Sequence, residues 1–93
     1  MSYDFDMAPS PKKNIFSLPV IDVEKTSRLL KNVREKNGIR VSQVQKVFGM
    51  ENPQSIYVWE DPSKKILPRL DNMLVLSRLY ATTIDQLLVL KAE

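Results

Sequence analysis

The chain of 93 residues contains no histidine and no cysteine. The side chains that most often act as general bases, thiolate nucleophiles and metal ligands are therefore missing. The sequence also lacks a glycine-rich phosphate loop, which leaves no group of residues from which to build an active site. We therefore expect neither an enzyme nor a metal or cofactor site. What the polar side chains can offer instead is hydrogen bonding by amide and hydroxyl groups.

These amide and hydroxyl groups are concentrated in residues 52–58, which read Asn-Pro-Gln-Ser-Ile-Tyr-Val. Gln54 is the strongest candidate, because a glutamine amide can pair with N6 and N7 of adenine in the major groove of DNA. An exposed glutamine in the first turn of a helix otherwise has little structural purpose. The ring of Tyr57 leaves two alternatives open, since it either stacks on sugar or phosphate or covers the apolar helix predicted to begin at Leu70.

Helical spacing predicts that this stretch belongs to a short helix, residues 53–60. Asn52 can cap the free N–H groups, and Pro53 suits the first helical position because its missing donor would be unpaired anyway. Ile56 and Trp59 lie three residues apart and are expected to point into the core. The side chains expected to face outwards are Gln54, Ser55, Tyr57 and Val58.

Another short helix is predicted just before it, because Val44, Val47 and Phe48 recur at helical spacing. Gly49 then ends this helix at a position where a positive φ costs least. A buried helix, a tight turn and a second helix with polar side chains in its first turns form the layout of a helix-turn-helix DNA-binding unit.

A longer helix is predicted ahead of these two, capped by Asp22 and ended by Asn37-Gly38. Its apolar stripe contains Thr26, Leu29, Leu30 and Val33. Five cations lie on its other faces, and most of them are interpreted as a solvated surface: Lys25, Arg28, Lys31, Arg34 and Lys36.

Two more helices are predicted in the last third of the chain. The fourth is apolar over a wide arc from Leu70 to Tyr80, and a capping box of Thr83 and Gln86 opens the fifth. The sequence thus predicts an all-α, five-helix fold. The predicted core is Leu29, Leu30, Val33, Val44, Phe48, Ile56, Trp59, Leu70, Met73, Leu74, Leu87 and Leu88.

Residues 1–19 are predicted to be a flexible arm, and residues 20–93 to be one domain. Lys12 and Lys13 in the arm either contact a DNA backbone or are simply solvated. The net charge of +3 is compatible with nucleic acid but does not require it. We expect no membrane span and no signal peptide, and hence a cytosolic protein.

Three separated motifs resemble the phage Cro/repressor-like (XRE-type) helix-turn-helix proteins. They read Pro-Gln-Ser-Ile-Tyr-Val-Trp-Glu at residues 53–60, Leu-Pro-Arg-Leu-Asp-Asn-Met-Leu at 67–74, and Thr-Ile-Asp-Gln-Leu-Leu at 83–88. The resemblance covers roughly residues 23–90. It implies a five-helix transcriptional regulator of bacterial or phage type that binds double-stranded DNA.

The resemblance also implies roles for individual residues. Residues 53–60 would be the recognition helix, with base-facing Gln54, Tyr57 and Val58, and the start of the preceding helix would meet phosphates. The residues expected to contact DNA are Ser42, Gln43, Asn52, Pro53, Gln54, Ser55, Tyr57, Val58, Lys64 and Lys65. Read without the resemblance, the two lysines are solvated.

The chain departs from the family pattern in several places. Gln45 replaces a small residue, Arg40 replaces a hydroxyl cap, and the turn after Gly49 is one residue longer. Val58 stands where relatives often place a basic or polar residue that reads bases, and the acidic pair Glu60-Asp61 is expected to repel phosphate. These departures leave two function classes open: a sequence-specific regulator that binds as a dimer at least on DNA, or a protein-interaction module that has lost DNA affinity. No small-molecule substrate is expected.

Overall fold

The computed structural model of the protein describes residues 18–92. Four α-helices follow one another, α1 (Val23–Lys36), α2 (Val41–Phe48), α3 (Gln54–Glu60) and α4 (Leu70–Leu79). A single 3-10 turn, Asp85–Leu87, comes after them. This part of the chain has no β-strand and only one isolated antiparallel bridge, between Ile21 and Leu90. The predicted all-α class is confirmed. None of the described helices is both long enough and apolar enough to span a membrane.

The expectations for most of the arm, including Lys12 and Lys13, lie outside the described residues. The description begins at Leu18, whose side chain is exposed. The division into an arm and a domain at residue 19 therefore remains a prediction.

The first helix begins where the sequence predicts. The side chain of Asp22 accepts a hydrogen bond of 3.0 Å from the N–H of Lys25, which satisfies one of the unpaired donors of the first turn. Thr26 and Leu30 on the predicted stripe are fully buried, whereas Leu29 and Val33 are half-buried. Thr26, Leu30 and Val33 of the stripe are therefore confirmed on the inner face of α1, whereas Leu29 does not join the core.

Three of the helices end in the same backbone arrangement, in which a residue of positive φ turns the chain away. Gly38 ends α1 with a φ of 70°, and Gly49 ends α2 with a φ of 67°. At the end of α4 the same position is taken by Ala81, with a φ of 55°. The N–H of Thr82 then donates to the carbonyl of Ser77 at 2.8 Å, which is the closing bond of a Schellman motif.

The core is formed by eight buried apolar side chains from all four helices and the 3-10 turn. Trp59 is only 7% exposed, and the ring of Phe48 meets it edge-on with 5.6 Å between the centroids. The predicted register of α3 is therefore confirmed. The core residues are Leu30, Val44, Ile56, Trp59, Met73, Leu76, Tyr80 and Leu87.

Two predicted core residues on α4 are exposed, as is Val47 on α2. The side chain of Leu70 is 73% exposed and that of Leu74 is 44% exposed. The helix is apolar over a wider arc than its neighbours cover, and it buries the stripe that contains Met73 and Leu76. The prediction that Leu70 and Leu74 lie in the core is therefore wrong.

The predicted fifth helix is not present as an α-helix. Its start is as expected, since the N–H of Gln86 donates to Oγ1 of Thr83 at 3.1 Å, but only one 3-10 turn follows. The chain then extends, because its backbone finds other partners. The backbone N–H of Val89 donates to Oγ1 of Thr26 at 3.0 Å, and the backbone N–H of Asp22 donates to the carbonyl of Val89 at 2.7 Å. These bonds tie the end of the described chain to the start of α1.

Candidate functional site

The N-terminal end of α2 is held by a side chain in its own first turn. Arg40 occupies the N-cap position, where its side chain supplies no capping hydrogen bond. Instead, Oε1 of Gln43 accepts a hydrogen bond of 2.7 Å from the N–H of Arg40. This bond is the second half of a capping box, and it explains how α2 starts without a hydroxyl cap. The guanidinium of Arg40 remains at the surface.

Gln45 stands where the resemblance leads us to expect a small residue. Its side-chain amide donates to the carbonyl of Met50 at 3.2 Å, and the N–H of Met50 donates back to the carbonyl of Gln45 at 3.1 Å. The glutamine therefore fastens the turn between α2 and α3 to the last turn of α2. This larger side chain stabilises the turn and is half-buried against it.

An open concavity of about 420 Å³ lies on this side of α2. Ser42 and Gln43, both predicted from the sequence as phosphate contacts, line it together. Two cations that were not predicted, Arg40 and Lys46, line it as well. Lys46 follows Ser42 by four residues and Gln43 by three, so the helical spacing could have revealed it. Two cations beside a hydroxyl and an amide form a surface suited to an anion.

The turn into α3 is shaped by Asn52 and Pro53. Oδ1 of Asn52 accepts a hydrogen bond of 3.0 Å from the N–H of Gln54. Pro53 occupies the N-cap position, so α3 begins one residue later than predicted. Asn52 is exposed and Pro53 is half-buried. Both residues therefore position the start of α3, whatever else they contact.

The outer face of α3 carries the predicted polar side chains. Gln54 and Ser55 are exposed, and Tyr57 is 53% exposed. Val58 was expected to face outwards but is half-buried. Tyr57 lines a groove of about 540 Å³ between α1 and α3. The groove is lined by both cations and carboxylates, among them Lys31, Glu35 and Asp61.

Glu60, at the end of α3, forms a buried ion pair with Arg34 of α1. Nε of Arg34 lies 2.7 Å from Oε2 of Glu60, and Nη2 lies 3.0 Å from Oε1. Nη1 also donates to the carbonyl of Ile39 at 2.9 Å. The hydrogen bonds that Arg34 donates to Glu60 raise the pKa of Arg34 above its usual value. Most of the five cations of α1 were predicted to be solvated, and Arg34 is the one of the five that is buried.

This pairing corrects the prediction that Glu60 repels phosphate. Its side chain is almost fully buried, and its charge is met by the guanidinium. The neighbouring Asp61 behaves differently. Its Oδ1 accepts from the hydroxyl of Ser63 at 2.7 Å and from its N–H at 2.9 Å, and these bonds lower the pKa of Asp61. Asp61 thus keeps its negative charge while it closes the turn after α3.

The two lysines of that turn do not behave alike. Lys64 is exposed. Nζ of Lys65 lies 3.6 Å from Oε2 of Glu24 in the first turn of α1, and both side chains are largely solvated. Lys65 also lines a hollow with the segment that precedes α1. The structure therefore groups Lys65 with the N-terminal end of α1, away from the concavity of α2.

No protein-family profile matches the chain, and neither a curated protein nor a solved structure matches it with significance. The resemblance to XRE-type regulators therefore stays a prediction from the sequence, and the site rests on its own geometry.

Proposed function

We propose that the protein binds double-stranded DNA and acts as a small transcriptional regulator, with α2–turn–α3 serving as a helix-turn-helix unit. The observation that carries the proposal is the cationic concavity of α2 next to a helix whose first turn exposes Gln54 and Ser55. Phosphate contacts fix position and affinity, while contacts to base edges select sequence. The two neighbouring surfaces supply one set of groups for each task.

In this proposal α3 enters the major groove with its N-terminal end first. Gln54 reads a base edge, and Ser55 and Tyr57 contact the sugar-phosphate backbone. Arg40, Lys46 and Ser42 hold phosphates beside α2. The side-chain oxygen of Gln43, Oε1, already accepts the capping bond from Arg40. Only the side-chain NH₂ group of Gln43 is therefore assigned to a phosphate. Lys64 adds a further phosphate contact, whereas Lys65 is given none because it lies beside Glu24 at the start of α1 and does not line the concavity.

The buried ion pair supports the proposal in two ways. It fastens the C-terminal end of α3 to α1, which fixes the direction in which the recognition helix projects. It also removes the charge of Glu60 from the surface that would face phosphate. The competing interpretation, an interaction module without DNA affinity, depended on Val58 and on the Glu60-Asp61 pair. Val58 and Asp61 remain to support it.

The proposed function is tested by selecting binding sites from a random duplex library at low salt. We expect one preferred sequence to emerge, with an affinity that falls steeply as salt rises because counterions are released from phosphates. A scrambled duplex of the same length serves as the control and should bind more weakly, with a comparable salt slope. A library that yields no preferred sequence, or binding insensitive to salt, would replace this proposal with the interaction module.

A further inference from the structure

The oxidisable sulfur of this chain is all in methionine, because the sequence has four methionines and no cysteine. Two of the four, Met50 and Met73, lie within the described residues. Met73 is 4% exposed and belongs to the core, whereas Met50 is half-buried and lines the concavity of α2. Of these two, Met50 is therefore the one that a small oxidant dissolved in water can reach.

The side chain of Met50 lies between the concavity and the core. It packs against the buried core cluster from the turn that joins α2 to α3. A thioether suits such a place, because it is apolar and flexible and fills irregular gaps. The sulfoxide that forms on oxidation is polar, and a polar group set against apolar side chains disrupts their packing.

The turn that contains Met50 positions the first residue of α3. The backbone of Met50 is bonded in both directions to Gln45, at 3.2 Å through its carbonyl and at 3.1 Å through its N–H. Only residues 51–53 separate Met50 from Gln54, where α3 begins. If the packing of the Met50 side chain is lost, the bonds to Gln45 hold the turn without it. Oxidation should therefore shift Gln54 relative to α2.

A second effect arises inside the concavity, where Arg40 and Lys46 are the cations assigned to phosphate. The oxygen of a sulfoxide at Met50 carries a partial negative charge and accepts hydrogen bonds. Cationic donors form the stronger hydrogen bonds, so this oxygen competes with a DNA phosphate for Arg40 and Lys46. The two effects act in the same direction, and both weaken DNA binding.

We propose that Met50 is a reversible oxidation site that weakens DNA binding by α2 and α3. Hydrogen peroxide transfers one oxygen atom to the sulfur: a sulfur lone pair forms the S–O bond, the O–O bond breaks and water leaves. The sulfur loses two electrons and the peroxide gains them. Methionine sulfoxide reductases reverse the step, since two thiols become a disulfide while the sulfoxide returns to the thioether and water. The effect on DNA rests on the proposed function, but the oxidation does not.

The first test treats the full folded chain with hydrogen peroxide in the absence of DNA. Peptide mass spectrometry should show that Met50 is oxidised at least about tenfold faster than Met73, because susceptibility follows exposure. In concentrated urea the two should react at similar rates. The oxidised chain should unfold at a lower urea concentration than the reduced chain. Met50→Leu, which keeps an apolar side chain of similar volume, should keep its own midpoint after the same treatment.

The second test measures affinity for the selected duplex, and each variant is compared with its own untreated form. Oxidation should weaken binding by the unaltered chain about tenfold, the scale on which an unpaired polar group disturbs apolar packing. Reductases of both sulfoxide epimers, with dithiothreitol, should restore it. Met50→Leu should lose no affinity on treatment. The matched control Met73→Leu removes the other sulfur and should lose affinity as the unaltered chain does.

Three results would overturn the proposal. They are equal oxidation rates for Met50 and Met73 in the folded chain, a sulfoxide at Met50 that leaves affinity unchanged, and a loss of affinity that persists in Met50→Leu. An untreated chain that binds no duplex would refute the proposed function instead. The oxidation rates and the urea midpoints would then still decide whether Met50 is an oxidation site that loosens the turn.

Discussion

At the scale of single residues, the ion pair between Arg34 and Glu60 is the feature that sequence reasoning missed most completely. Both residue types usually lie at the surface, and 26 positions separate them in the chain. Helical periodicity assigned Arg34 to the cationic surface of α1. Glu60 was interpreted together with Asp61 as an exposed acidic pair. Only the packing of α1 against α3 brings the two charges together. No local pattern could have revealed this contact.

Breaking this pair should cost more stability than replacing it. Glu60→Ala or Arg34→Ala leaves a buried charge without its partner and should cost about 3 to 5 kcal/mol. The double variant Arg34→Met, Glu60→Leu removes both charges and should cost less than either single change. Urea unfolding at pH 7 measures all three. Glu35→Gln is the control, because Glu35 lies 3.9 Å from Arg34 but is 55% exposed, and it should cost under about 0.5 kcal/mol.

The role proposed for Gln54 predicts a loss confined to the preferred sequence. Gln54→Ala should lose about 1 to 3 kcal/mol of binding free energy on the selected site and relax the preference at one base pair. Competition binding against single-base variants of the site measures both effects. Gln86→Ala changes another exposed glutamine, outside α2 and α3, and should leave binding intact. An unchanged affinity and preference in Gln54→Ala would remove the residue from the recognition surface.

Replacing the cations of the concavity should change DNA binding in a different way. Arg40→Ala and Lys46→Ala should each weaken binding to all sequences alike and flatten the logarithmic salt slope by about one unit. Titrations at four salt concentrations with the selected and scrambled duplexes measure the slope. Arg78→Ala removes an exposed cation from the last turn of α4 and should change neither quantity. If Arg40 and Lys46 resemble this control, the concavity does not hold phosphate.

At the scale of elements, the sequence predicted where helices begin and end better than how far they extend. Asn37-Gly38 and Gly49 marked two ends correctly because only glycine adopts a positive φ without strain. The end of α4 gave no such signal, since alanine occupies the position. The fifth helix was predicted to be longer than it is, because the residues that cap its start were visible in the sequence. The hydrogen-bond partners of Val89 could not be seen there, since they lie more than 60 residues away.

The two kinds of helix end predict opposite effects on stability. Ala81→Gly should stabilise the protein by about 1 kcal/mol, because alanine is strained at a φ of 55°. Gly49→Ala should destabilise it by about the same amount. A Cβ at Gly49 would meet no atom within 4 Å, so this cost is conformational and not steric. Urea unfolding of both variants measures the pair, and a destabilising Ala81→Gly would contradict the argument.

At the scale of the whole molecule, periodicity predicted much of the core, from Leu30 through Trp59 to Leu87, because these residues recur on one side of each helix. It could not predict which part of a wide apolar arc is covered. This depends on the neighbouring helices, and Leu70 and Leu74 were consequently misplaced. The candidate site was predicted for the outer face of α3 but only in part for α2. There the three-dimensional concavity added Arg40 and Lys46.

The stability of the whole protein at alkaline pH should depend on Tyr80. This side chain is 3% exposed, and burial raises its pKa to about 12, helped by the negative charge of Glu60 and opposed by Arg34. The unfolded chain releases the same proton near pH 10. Below pH 10 both states keep the proton and stability is unaffected. Between about pH 10 and 12 the unfolded state loses it first, so folding stability falls as the pH rises.

A shift of about two pH units corresponds to at most about 2 to 3 kcal/mol, which is a large fraction of the stability of a small domain. Tyr80→Phe should remove this part of the decline, whereas Tyr57→Phe, at an exposed position, should not. Urea unfolding from pH 8 to 12 measures this decline in stability, and other groups that titrate in this range cancel in the comparison between variants.

Tyrosinate absorbance should show one group that titrates near pH 12 in the native protein and is lost in Tyr80→Phe. A native Tyr80 that titrates near pH 10 would mean that water reaches its hydroxyl, and that the side chain of Tyr80 is less buried than described.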